Sequence, residues 1–161
     1  MQCSDVYLYE SVLNVDQFGT LPQLMELSVE FCKLKMLPSG AFIGLKNLRD
    51  LTIQGHNSEW SGSMTLQLQE DTLKGLSKLE RLDLSDNNIW GLPSSSLCHT
   101  PTLTSFNLSR NNIVEVMLHW SPRVSLSLTR NLSAGFWAGI KSRQRRHQLS
   151  NATFKITGFI L

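Results

Sequence analysis

The sequence predicts an α/β solenoid, a horseshoe fragment of about four to five repeats with short parallel strands on its concave face. Three observations lead there. A leucine template, L-x-x-L-x-L-x-x-[N/C]-x-L, is filled by Leu24, Leu27, Val29, Cys32 and Leu34, and again by Leu79, Leu82, Leu84, Asn87 and Ile89. The apolar pairs Phe18/Leu21, Phe42/Leu45 and Leu73/Leu76 fall at one offset before successive starts of that template. The 161 residues are 41% hydrophobic, enough to bury a core. Even so, no apolar run approaches the roughly 20 residues that span a bilayer.

Template starts at Leu24, Leu48, Leu79 and Leu103 are separated by 24, 31 and 24 residues, the period of leucine-rich repeats. A shorter first repeat fits at Cys3, with Val6, Leu8, Ser11 and Leu13 in its slots. In the repeat from Leu48, Leu51 and Ile53 are in place, but His56 stands where Asn or Cys belongs and a polar run follows to Ser63. The template resumes at Leu66 and Leu68, so about seven extra residues form a loop on one face, where insertions in such arrays lie. The repeat from Leu103 is regular, with Phe106, Leu108, Asn111 and Ile113 in register. After Val116 only Leu126, Leu128 and Asn131 imitate it, with Arg123 in the leading slot and Ser133 in the trailing one. The expected organisation is therefore an array over residues 1–116 and a divergent basic tail over 117–161, a degenerate fifth repeat or a disordered segment.

Alternation such as Leu82-Asp83-Leu84 places the leucines inward and Asp83 outward on a short strand. Stacked strands bury together what no single repeat buries alone. Asn87 and Asn111 then satisfy interior backbone groups with their amides, and Cys32 replaces an amide there as a small buried thiol. Cys3 reads the same way, and Cys98 lies on the convex side.

Charge divides the chain. Residues 1–115 hold 8 basic against 13 acidic residues, a net −5, whereas 116–161 hold 7 basic and no acidic residues, a net +7. The outward strand positions include Asp5, Tyr7, Tyr9, Glu26, Glu30, Asp50, Arg81 and Asp83, five acids against one base. On a concave repeat surface this stripe is the candidate ligand-binding face, and it favours a protein ligand of basic character. The basic cluster Lys141–His147 reads as a solvated segment, and no nucleic-acid partner is expected. Unsealed repeat ends favour self-association.

Catalysis is not expected. No G-x-S-x-G, P-loop or G-x-G-x-x-G pattern occurs, and His56, His99, His119 and His147 lack a second ligand at metal spacing. No metal or cofactor is implied. Acceptor triplets for N-glycosylation begin at Asn107, Asn131 and Asn151. The start Met1-Gln-Cys-Ser-Asp5 has neither the basic nor the apolar stretch of a signal peptide, so this chain is expected to lack one, along with a transmembrane helix.

Residues 21–53 and 75–98, with His56-Asn-Ser-Glu-Trp-Ser61 between them, resemble the ectodomain of arthropod Toll receptors, in the long branch of Tollo and 18-wheeler. Cys32 in the Asn slot, the long repeat with His56-Asn57 and Trp60-Ser61, and Asp86-Asn87-Asn88-Ile89-Trp90 carry the likeness, which covers roughly residues 6–116. It implies a glycosylated extracellular or cell-surface receptor segment of innate immunity or development, binding Spätzle-like cystine-knot cytokines or a cell-surface partner. The alternative from another class is an intracellular repeat adaptor that binds a cytosolic protein.

Overall fold

The structure, a computed structural model, describes residues 11–13, 18–19, 21–57, 64–113, 124–129 and 131. Five strands form one parallel sheet. They are β2 (Glu26–Glu30), β4 (Asp50–Gln54), β6 (Arg81–Asp83), β7 (Ser105–Asn107) and β8 (Ser125–Ser127), paired in that order. A second sheet of β1 (Ser11–Val12), β3 (Leu34–Leu37) and β5 (Gln67–Leu68), also parallel, follows the ascending side of the coil. Each concave strand pairs with its counterpart one repeat later, as in Leu51 with Leu82 and Leu82 with Phe106. This is the leucine-rich repeat solenoid, and the concave strands β2, β4, β6 and β7 fall where the leucine alternation placed them.

Its convex side carries no α-helix among the described residues. Consecutive i→i+3 bonds, Ala41 to Pro38, Ile43 to Gly40, Leu45 to Phe42 and Leu48 to Leu45, close it as linked turns. Such segments are too short to offset the nucleation cost of an α-helix, and the tighter bond pattern turns the chain back in fewer residues. Phe42 and Leu45 point inward and are fully buried, and Phe18 stacks on Phe42 with centroids 5.9 Å apart.

The core is one continuous column. Leu51, Ile53, Leu79, Leu82, Leu84, Phe106 and Leu108 are each at most 2% exposed, and Val124, Leu126 and Leu128 extend the column past the 116/117 boundary expected from the sequence. Above it runs a ladder of amides. Asn87 Nδ2 donates to Ile53 O and Ser85 O while its Oδ1 accepts from Gly55 N. Asn111 Nδ2 donates to Leu84 O and Leu108 O, and its Oδ1 accepts from Asn87 N and Ile89 N. Asn131 repeats the arrangement with Leu108 O, Leu128 O and Ile113 N. Each amide thus ties two repeats together through groups that would otherwise be buried unpaired.

Two ladder positions differ from expectation. In the long repeat the inward residue is Asn57, fully buried, with Nδ2 on Asn87 O at 3.0 Å; His56 lies one place before it. Gly55 permits this shift, because a Cβ there would lie 2.5 Å from Asn57 Oδ1 and 3.1 Å from Asn87 Oδ1. The free thiol expected at Cys32 is corrected: Cys32 is disulfide-bonded, its partner lying outside the described residues, and Cys98 is an exposed free thiol. Cys3 lies outside the described residues.

On the convex side His99 Nε2 lies 2.8 Å from Asp71 Oδ1. The hydrogen bond to His99, aided by the charges of His99 and Lys74, holds the Asp71 carboxyl below its usual value. A depressed carboxylate pKa contributes stability above the unfolded-state value of about 4 and loses it as pH falls through the folded-state value. His99→Ala is therefore expected to flatten that acid limb of a urea-midpoint-against-pH curve and to leave its shape above about pH 7 unchanged, where Asp71 is ionised in both states.

Candidate ligand-recognition face

Strand register sets the outward side chains in rows across the sheet. One row is Glu26, Asp50, Arg81, Ser105 and Ser125; the next is Ser28, Thr52, Asp83, Asn107 and Ser127. Glu30 and Gln54 begin a third. The residue types therefore grade along the array, with carboxylates on the first strands and hydroxyls and amides on the last.

Of the residues the sequence nominated, Glu26, Glu30, Asp50, Arg81 and Asp83 share this face, whereas Asp5, Tyr7 and Tyr9 lie outside the described residues. Their charges are not equally available. Arg81 forms an ion pair with Asp50, and that carboxylate, by hydrogen bond first and then by charge, raises the guanidinium above its usual pKa. Beside it Arg49 pairs with Glu80, so β4 and β6 are joined by two oppositely directed ion pairs. Asp83 is half-buried, accepting from Asn107 Nδ2 and from Ser85 N, each at 2.8 Å. Glu30 accepts from Ser28 Oγ at 2.6 Å, a neutral donor that leaves its charge in place. Among the described residues Glu26 and Glu30 on β2, beside the exposed Met25, form no ion pair, though the charge of Glu26 adds to that of Asp50 in raising the pKa of Arg81.

A flanking row escaped the outward-position rule. Phe31, His56, Asp86 and Arg110 each precede a ladder residue, and all four adopt left-handed backbone, with φ of 54°, 52°, 58° and 54°. Such conformations are unfavourable for residues other than glycine, yet here they aim successive side chains onto one flank at the C-terminal ends of the strands. The Phe31 and His56 rings stack at 4.2 Å, and Asp86 lies 3.1 Å from His56 Nδ1 and 3.7 Å from Arg110 Nη1. The legible signal was position: each residue stands immediately before Cys32, Asn57, Asn87 or Asn111.

Among the described residues no group of His, Cys, Asp and Glu could hold a metal ion, and no helix is long and apolar enough to cross a membrane. The face offers an extended hydrogen-bonding and charged surface, suited to another macromolecule.

The leucine rich repeat family matches over residues 61–113. The chain is 48% identical to Toll-like receptor 7 of Drosophila melanogaster over 113 residues, 70% of this chain and 8% of that receptor. It is 30% identical to Toll-like receptor 3 of Boselaphus tragocamelus over 130 residues, 74% of this chain and 14% of that protein. Fibromodulin of Sus scrofa is 30% identical over 109 residues, 59% of this chain and 74% of that sequence. The chain thus spans only a small part of the two receptors' lengths.

Proposed function

Because the chain belongs to the leucine-rich repeat family, with repeats of the arthropod Toll-receptor kind, we propose that this protein-interaction module is a non-enzymatic receptor segment. It recognises a basic protein ligand on its concave face, outside the cell or at the cell surface. The observation that carries this reading is the carboxylate pair Glu26 and Glu30 on β2, which forms no ion pair among the described residues, at one edge of a five-stranded face. Ligands of the Spätzle-like cytokine type, or a basic cell-surface partner, fit that charge. The setting is innate immunity or development.

The disulfide at Cys32 supports an oxidising compartment and weighs against the cytosolic-adaptor alternative. The array is taken to run through Asn131, whose ladder bonds join it to Leu108.

The test is a binding-kinetics comparison with a Spätzle-like cytokine at low and high salt. Glu26→Lys with Glu30→Lys should slow association on the order of tenfold at low salt, with a smaller change in dissociation. Lys46→Glu, exposed on the convex side, should change little. Asp50→Lys is a poorer probe, since it sets a second cation against Arg81. Unchanged association and unchanged salt dependence in the double variant would reduce the stripe to a solvated face.

A further inference from the structure

The acceptors Asn107 and Asn131 are equivalent in sequence but not in structure, and Asn151 lies outside the described residues. Asn131, half-buried, uses both of its Nδ2 hydrogens, to Leu108 O at 2.9 Å and Leu128 O at 3.0 Å, and its Oδ1 accepts from Ile113 N at 3.1 Å. Asn107 sits on the open face of β7. Its Nδ2 makes one bond, to Asp83 Oδ2 at 2.8 Å, and its Oδ1 accepts from Ser109 N at 3.0 Å.

N-glycosylation joins C1 of an oligosaccharide to the asparagine Nδ2. The donor is a polyprenyl-pyrophosphate-linked oligosaccharide; the C1–O bond breaks, the pyrophosphate leaves with its electron pair, and Nδ2 gives up one proton. The product is a secondary amide with a single N–H. At Asn107 that remaining hydrogen suffices for Asp83, and the sugar projects over the concave face. At Asn131 one of the two bonds, to Leu108 O or to Leu128 O, would be lost and the sugar would have to enter the ladder. We infer that, of the two acceptors among the described residues, Asn107 bears a glycan in the folded chain and Asn131 is structurally reserved and stays bare. A glycan on β7 screens the neighbouring strands β6 and β8, leaving β2 and β4, with Glu26 and Glu30, as the open half of the face.

This rests on the extracellular reading, and its test involves no ligand, so the two fail separately. The full chain, directed to the secretory pathway of insect cells by a supplied leader, is sorted into protease-resistant and protease-sensitive fractions. Each is mapped by mass spectrometry after enzymatic glycan release, which converts an occupied asparagine to aspartate. In the resistant fraction the Asn107 peptide should be converted and the Asn131 peptide should not. Ser109→Ala, which leaves Asn107 and its bonds in place, should remove one glycan increment from that fraction, and Ser133→Ala should remove none. Occupied Asn131 in the resistant fraction, or bare Asn107 there, overturns the inference.

Discussion

Asn111→Ala is expected to lower unfolding free energy by about 3–5 kcal/mol, a large share of the stability of a small domain. One substitution removes the side-chain partner of Leu84 O and of two N–H groups, Asn87 N and Ile89 N, and one of the two donors to Leu108 O, which keeps Asn131 Nδ2. Each buried group left unpaired costs about 1–3 kcal/mol; backbone relaxation recovers part of the total. Asn111→Asp keeps the acceptor and loses both donors, so it should also destabilise strongly. Chemical denaturation followed by circular dichroism measures both. A loss at Asn111 no larger than that of an exposed-strand substitution would mean that water replaces the amide and that the ladder holds nothing together.

Phe106→Ala should cost about 3–5 kcal/mol, the usual range for deleting a buried aromatic ring. Phe106 is 1% exposed and lies between Leu82 and Leu126 in the strand register, so the space it vacates spans two repeat interfaces. Its neighbour Ser105 faces outward and should tolerate alanine within about 0.5 kcal/mol. Comparable losses at the two positions would contradict the inward-outward alternation of β7. Asp83 is a poorer outward control than its alternation suggests, because it accepts two hydrogen bonds.

Where a signal is periodic, the sequence is nearly sufficient. Leu51, Leu82 and Phe106 occupy matching places in the sheet because leucine spacing reports burial directly, and even the weakly matching Leu126 and Leu128 are buried. Prediction weakens where one residue of slack enters. Position counting assigned the ladder slot to His56, whereas Gly55 lets the backbone shift so that Asn57 takes it. The second sheet was hidden because β1 and β5 have only two residues each, too few for a period. Among the site residues, outward direction was legible at Glu26, Glu30, Asp50, Arg81 and Asp83. Their pairing was not, since the Asp50–Arg81 contact spans 31 residues and depends on register across the insertion.

The ladder amides of Asn87, Asn111 and Asn131 reach backward, whereas Asn57, shifted by Gly55, donates forward to Asn87 O. Asn87 serves Ile53 and Gly55, Asn111 serves Leu84, and Asn131 serves Leu108. A repeat is therefore completed only by the asparagine of its successor, and the transferable cassette differs from the unit read off the leucines. Segments exchanged between such arrays should be joined just after an asparagine, where the preceding turn is already closed. A join between a strand and its asparagine would divide one hydrogen-bonded turn between two parents.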